Sequence, residues 1–101
     1  MALVKTFPVS ELIESQGKQI TINDKPLAIF KIENSFYAID NTCPHRGAPL
    51  ADGELAGTVL TCPWHRWEFD VTTGKSPVNP AACVKTYPCQ VSDSDLMVDI
   101  S

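Results

Sequence analysis

The chain of 101 residues has little of what marks membrane-spanning, secreted or nucleic-acid-binding proteins. Its 8 basic residues against 12 acidic ones give a net charge of −4, which argues against a broad basic face for nucleic acid or anionic membrane. The longest wholly apolar stretches are about four residues, as at 27–30, too short to cross a bilayer. No basic region followed by an apolar run opens the chain, so we expect no secretory signal and a cytoplasmic location.

Histidine is also scarce, with two residues against four cysteines. In a reducing cytosol, four cysteines are more often metal ligands, catalytic thiols or buried apolar residues than disulfides. If both histidines bind one cofactor, none remains for a general base, a triad or a second metal. The scarcity of histidine therefore restricts the chemistry open to this chain.

No amphipathic pattern is long enough for a substantial helix, and short strand-like runs dominate, so the predicted class is all-β. Only residues 10–14 look helical, with Ser10 as the expected cap. The strands are predicted near residues 19–22, 27–33, 36–40, 58–61, 67–71, 87–91 and 96–100. Tyr87, Cys89 and Val91 are expected to share one face of a single strand.

An apolar fraction of 44% in a chain of this length predicts a single domain, residues 1–101. Residues 43–80 hold five of the eight prolines, four of the five glycines and both histidines. Loops rich in proline and glycine, carried on short strands, are where small β proteins place their sites. The site is therefore predicted within residues 43–80.

Two short motifs lie in this region. Cys43 and His45 form C-x-H, and after sixteen intervening residues Cys62 and His65 form C-x-x-H. Thiolates suit iron–sulfur clusters, zinc and copper(I), while imidazoles suit iron and zinc. A structural zinc ion is the simplest alternative, but C-x-H is tight for two ligands of one ion, whereas neighbouring ligands of a two-metal group need not share a metal.

This pair of motifs, with Gly47 after the first and residues 69–74 (Phe-Asp-Val-Thr-Thr-Gly) after the second, resembles the Rieske [2Fe–2S] domain. The resemblance covers essentially the whole chain and is greatest to the stand-alone Rieske ferredoxins of bacterial oxygenases. It implies an antiparallel β-sandwich or barrel base with a small cluster-binding subdomain of two loops, near residues 43–80. A proline-bearing loop at residues 76–80 would cover the cluster.

The resemblance further implies that Cys43 and Cys62 bind one iron of the cluster, and His45 and His65 the other. The chain would then be a monomeric one-electron carrier that is not itself catalytic. It would accept electrons from a flavin-containing NAD(P)H-dependent reductase and deliver them to a terminal Rieske oxygenase or another redox enzyme.

Departures from the high-potential, membrane-bound Rieske proteins point to the ferredoxin branch. Those proteins carry a disulfide between the two loops, where this chain has Ala48 and Trp64. They also place hydroxyl groups near the cluster, where this chain has Trp67 and Phe69. We therefore expect a low reduction potential, with Trp67 and Phe69 packed as core.

Two alternatives of other classes remain: a Rieske-like small subunit of an NAD(P)H nitrite reductase, and a zinc-stabilised interaction module. Cys83 and Cys89 have no assigned role, and Cys89 is expected to be a small buried thiol. Arg46 and Arg66 each follow a predicted histidine ligand and are either solvated charges or cations that meet an acidic partner.

Overall fold

The computed structural model describes residues 3–42, 49–63, 67–78 and 82–100. Within these ranges the chain forms short strands and two 3₁₀ helices, Val9–Glu11 and Leu50–Asp52. The strands are Leu3–Pro8 (β1), Gly17–Ile22 (β2), Lys25–Ile32 (β3), Ser35–Asp40 (β4), Glu54–Ala56 (β5), Val59–Thr61 (β6), Glu68–Asp70 (β7), Thr86–Tyr87 (β8), Cys89–Ser92 (β9) and Asp95–Asp99 (β10). The predicted all-β class is confirmed.

The strands form three sheets in which every pairing is antiparallel. The terminal sheet has the order β1-β10-β9, the central sheet β2-β3-β4-β8 and the small sheet β5-β6-β7. The central sheet lies between two apolar cores. One core joins it to the terminal sheet, and the other joins it to the small sheet and to the loops of the predicted site.

Strand β3 shows why the sequence folds this way. Its run Leu27-Ala28-Ile29-Phe30 is fully buried, so it does not alternate between apolar and polar residues. Successive strand residues point to opposite faces. Leu27 and Ile29 accordingly enter the core shared with the terminal sheet, while Ala28 and Phe30 enter the core beneath the predicted site.

Tight turns join the neighbouring strands. Asn23 and Asp24, between β2 and β3, both have positive φ angles, 51° and 65°, which match the right-handed twist of a two-residue hairpin. The next hairpin turns at Glu33 and Asn34, one residue earlier than the sequence predicted, with Glu33 at φ 56°.

Two local predictions are wrong. The expected strand over residues 87–91 is split at Pro88, so that Tyr87 pairs with β4 while Cys89 pairs with β10 in another sheet. Proline has no N–H to donate to a ladder, which favours a change of sheet at this point. As a result Val91 is exposed.

The helix expected over residues 10–14 is the single 3₁₀ turn Val9–Glu11. Pro8 precedes it at the cap position and makes no side-chain capping hydrogen bond, so the expected cap at Ser10 is not formed. Among the described residues, no helix is long and apolar enough to span a membrane.

Candidate metal centre

Cys62 is the one predicted ligand within the described residues, and it lies at the end of a tight hairpin. Thr61 and Glu68 are the last paired residues of strands β6 and β7. The adjacent residues are also joined, because the Cys62 N–H donates to the Trp67 carbonyl at 2.6 Å. The Cys62 side chain is buried, with 1% of its surface exposed. The two ends of the loop that carries the second motif are therefore hydrogen-bonded to each other. His65 lies outside the described residues.

The described residues on either side of the first motif are also joined to each other. Thr42 and Pro49 form an isolated antiparallel bridge, and the Leu50 N–H donates to the Asn41 carbonyl at 2.7 Å. These contacts join the two ends of the loop that carries the C-x-H motif. Cys43 and His45 lie outside the described residues.

The proline-bearing segment forms a third closed loop. Lys75 and Cys83 form an antiparallel bridge, and the Ser76 N–H donates to the Ala82 carbonyl at 3.0 Å. The Ser76 hydroxyl oxygen accepts a hydrogen bond from the Val78 N–H at 3.2 Å. Residues 79–81 lie outside the described part of the chain.

The bases of all three loops rest on one apolar core. Leu50 and Ala51 contribute to it from the first loop, Cys62 and Phe69 from the second, and Ala82 from the third. Phe69 is fully buried and Trp67 packs against the same core, as the sequence predicted. The fold therefore brings together the described bases of the three loops that the sequence assigned to one site.

A pocket of about 230 Å³ opens beside Cys62 and Pro63. Its other lining residues are Asp52, Gly53, Glu54 and Thr61. Asp52 and Glu54 are exposed, so the described part of this rim is acidic. Arg46 and Arg66, which the sequence analysis left open as solvated charges or as cations that meet an acidic partner, lie outside the described residues.

The Cys62 thiol is a suitable ligand for an iron–sulfur group. A buried thiol on an apolar floor, at the base of a closed loop, provides the soft ligand and restricted solvent access that such a group requires. In the described ranges no three His, Cys, Asp or Glu side chains are grouped closely enough to hold a metal ion. The full ligand set would depend on Cys43, His45 and His65, all in the remaining segments.

The other described cysteines have different surroundings. Cys83 is exposed, whereas Cys89 is half-buried, and neither is in a disulfide. Burial raises the pKa of the Cys89 thiol to about 11, although a hydrogen bond from the Ala38 backbone opposes this effect. The Cys89 thiol also donates to the Tyr87 carbonyl at 3.6 Å. These contacts favour a structural role for Cys89.

Asn41 is a functional candidate that the sequence analysis missed. It is one of two buried polar residues in the described structure, with 4% exposure. Its side-chain oxygen accepts a hydrogen bond from the Ala51 N–H at 2.8 Å, across the base of the first loop. The available sequence signal was a polar residue two positions before the C-x-H motif, directly after β4.

Comparison with known protein families places these observations in context. The sequence profile of the Rieske [2Fe–2S] domain matches residues 2–88. The ferredoxin component of the naphthalene 1,2-dioxygenase system of Pseudomonas putida is 35% identical over 99 residues, which cover 97% of this chain and 95% of that one. The biphenyl dioxygenase ferredoxin subunit of a Pseudomonas strain is 32% identical, over 100% of this chain and 94% of that one.

Solved structures show the same fold. The ferredoxin of carbazole 1,9a-dioxygenase from Nocardioides aromaticivorans superposes with a TM-score of 0.92 at 23% identity, over 100% of both chains. A chain from a complex of oxygenase and ferredoxin in carbazole 1,9a-dioxygenase gives 0.88 at 27% identity, over 96% of this chain and 92% of that one. A chain named as a nitrite reductase small subunit of Mycobacterium tuberculosis gives 0.89 at 22% identity, over 96% and 93%.

Proposed function

The chain belongs to the Rieske [2Fe–2S] domain family and to its dioxygenase ferredoxins, and from this premise we propose that it passes single electrons to a terminal oxygenase. Like the ferredoxin components it matches, it is an electron carrier, and the catalytic oxygenase is a separate protein. The observation that carries the proposal is the placement of Cys62, buried on the core that also supports the bases of the other two loops.

The proposed ligands are Cys43 and Cys62 for one iron, and His45 and His65 for the other. When bound between the loops, a [2Fe–2S] cluster supplies a centre that gains and loses one electron. The cluster-binding subdomain is proposed to cover about residues 43–80 of a single domain. The buried position of Cys62 and the closure of all three loop bases support this assignment.

The protein's own residues would restrict water and movement at this site. Leu50, Leu60 and Phe69 are fully buried beneath the loops and exclude solvent from the side that faces the core. The hydrogen bonds at the loop bases hold the backbone in one arrangement, which favours a small structural change between oxidation states. Electron exchange would occur at the opposite, histidine-bearing side, which we propose lies near the surface.

The proposed electron source is a flavin-dependent NAD(P)H reductase, and the proposed acceptor is a terminal Rieske oxygenase. The ferredoxin components among the relatives support both roles, and the solved complex of an oxygenase with a ferredoxin supports direct docking. We further propose that the chain is a monomer and works in the cytoplasm, where NAD(P)H is available.

A nitrite reductase small subunit has weaker support. Its likeness to this chain is at 22% identity and shows the fold alone. The curated relatives with 35% identity over nearly the whole chain are ferredoxin components of dioxygenase systems. Co-purification of the natively expressed chain with a large sirohaem subunit would instead support the nitrite reductase assignment.

Reconstituted electron transfer tests the proposal. The purified chain is combined with the reductase and oxygenase of a naphthalene 1,2-dioxygenase system, and product formation from NAD(P)H is measured. We expect turnover that depends on the chain and is lost in Cys62→Ser but kept in Cys83→Ser. If the wild-type chain holds a Rieske cluster but is not reduced by any flavin reductase tested, the proposed position in the pathway is wrong.

A further inference from the structure

Asn41 ties together three segments at the base of the first loop. Its N–H donates to the Pro26 carbonyl at 2.9 Å, at the start of β3. Its own carbonyl accepts from the Leu50 N–H at 2.7 Å, and its side-chain Oδ1 accepts from the Ala51 N–H at 2.8 Å. One buried side chain therefore joins the strand that enters the loop to the 3₁₀ helix that leaves it.

The side-chain bond is costly to lose. Ala51 is buried with 8% exposure, so little solvent is available to replace the oxygen that accepts from its N–H. A buried donor left without a partner has lost its hydrogen bonds to water and gains none in the protein, so it destabilises the folded state. Since this donor lies at the exit of the loop, we expect the cost to appear as local opening of the loop base.

Strand β2 also contacts the 3₁₀ helix Leu50–Asp52, which follows the first loop. A Cβ atom at Gly17, on β2, would overlap the Ala51 carbonyl oxygen and approach the Phe30 ring at 2.8 Å. The backbones of β2 and the 3₁₀ helix are therefore in close contact. The helix is held between this contact and the Asn41 side chain.

The same helix reaches the predicted ligand of the second loop through the core. Leu50 and Ala51 lie in one apolar cluster with Cys62, and that cluster is closely packed. A change in the exit of the first loop would therefore alter the position of the first motif relative to the Cys62 sulfur.

We propose that Asn41 is a positioning residue for the cluster: through Ala51 it fixes the first loop relative to Cys62 and so controls cluster retention and reduction potential. This inference rests on the proposed [2Fe–2S] function. Asn41 is not assigned contact with the cluster, since its side chain acts through the backbone of Ala51.

Tyr87→Phe provides a matched control. The Tyr87 hydroxyl donates to Asp40 Oδ1 at 2.5 Å, so this variant also removes one hydrogen bond at the end of β4. That bond joins β4 to β8 and does not cross the base of the first loop. A general loss of stability would affect both variants, whereas a loss of cluster positioning would affect only Asn41→Ala.

The experiment measures three properties of the cluster-bound wild type, Asn41→Ala, Asn41→Asp and Tyr87→Phe. They are the rate of cluster loss to a chelator, the EPR spectrum and potential of the reduced protein, and hydrogen exchange over residues 49–53. In Asn41→Ala we expect cluster loss and exchange to be about tenfold faster, with a changed EPR spectrum and potential. Asn41→Asp keeps the acceptor oxygen and should recover the exchange protection.

Tyr87→Phe should keep the wild-type EPR spectrum and potential. If Asn41→Ala also keeps both, and loses the cluster no faster than Tyr87→Phe, the positioning role is wrong. If the wild-type chain binds no [2Fe–2S] cluster at all, the proposed function fails and the inference fails with it. The wild-type spectrum therefore distinguishes the two failures.

Discussion

Cys62, Cys83 and Cys89 differ in burial, and this difference separates their chemistry. Cys62 is buried at the base of a loop, Cys83 is exposed on an isolated bridge, and Cys89 is half-buried where the chain passes from one sheet to another. Spacing in the sequence was sufficient to select Cys62 as a ligand candidate. It was not sufficient to assign a role to Cys83 or Cys89, which lie on an isolated bridge and at the start of β9.

Ligand substitution should divide the cysteines and histidines into two groups. Cys43→Ser, His45→Ala, Cys62→Ser and His65→Ala should each abolish or strongly reduce cluster assembly, because an open iron site exposes the cluster to water. Cys83→Ser and Cys89→Ala should keep the colour, with a packing cost of at most a few kcal/mol. Iron content and visible absorption per protein provide the measurement. Iron loss in Cys83→Ser with retention in Cys43→Ser would overturn the assignment.

Thiol reactivity provides a second test at this scale. Because burial raises the pKa of Cys89 to about 11, its reactive thiolate is scarce at pH 8 and increases as the pH approaches 11. Cys83 is exposed and should be alkylated first. Mass spectrometry after timed iodoacetamide treatment at pH 8 and pH 10 should show Cys89 labelled slowly at pH 8 and faster at pH 10. Equal labelling of both residues at pH 8 would contradict this description of Cys89.

At the scale of elements, the site depends on three loops whose ends are joined by hydrogen bonds on a common core. Most of the strands that carry them could be read from apolar patterns. The run at residues 27–30 and the alternation from Trp67 to Val71 gave β3 and β7 to within a few residues. Pro88 is a local signal against one continuous strand, but the sheet that receives each half is decided by tertiary packing and cannot be predicted from the local sequence.

The sequence predicts local features better than tertiary contacts, and this also explains which parts of the site could be predicted. Ligand residue types and their spacing are local features, so Cys43, His45, Cys62 and His65 could be proposed as ligands from the sequence. The Asn41 contact joins residues ten positions apart across a loop, and asparagine is common in loops without such a role. Gly17 likewise matters only through its contact with Ala51, which is distant in sequence.

Two glycines with positive φ angles, Gly57 in the turn between β5 and β6 and Gly74 after β7, separate the effect of backbone strain from that of close packing. Gly57 has φ +63° with open space at its Cβ position, whereas Gly74 has φ +79° and its Cβ would overlap the Val84 carbonyl oxygen. Gly57→Ala should therefore cost about 1 kcal/mol of unfolding free energy, from backbone strain alone. Gly74→Ala should lower the unfolding free energy by clearly more, because the turn that follows β7 must also move away from the Val84 carbonyl. Denaturant unfolding of both variants tests this, and equal losses would contradict it.

At the scale of the whole molecule, the net charge of −4 implies that docking depends on where charge is placed more than on its total. The described rim beside Cys62 carries Asp52 and Glu54, and the two arginines follow the predicted histidine ligands in sequence. Charges of both signs near an electron exit can orient a partner and reject wrong partners.

Charge reversal tests this arrangement. Arg46→Glu and Arg66→Glu should slow electron transfer to one partner and flatten its dependence on salt, with a much smaller effect on the potential. Lys31→Glu provides a control with the same charge change, because Lys31 lies on β3 well beyond Pro26, whose carbonyl accepts from Asn41. Stopped-flow rates at low and high salt give the measurement. Identical rates in wild type and both arginine variants would show that the arginines have no docking role.

Protein-film voltammetry of the wild-type chain at neutral pH tests the central claim most directly. Rieske centres span roughly −150 to +300 mV, and hydrogen-bond donors to the cluster sulfurs raise the potential. Trp67 and Phe69 carry no hydroxyl groups, and Phe69 is fully buried, so we expect one reversible one-electron wave near the bottom of that range. A clearly positive potential would contradict assignment to the ferredoxins, and an electrochemically silent protein that contains zinc would contradict the cluster itself.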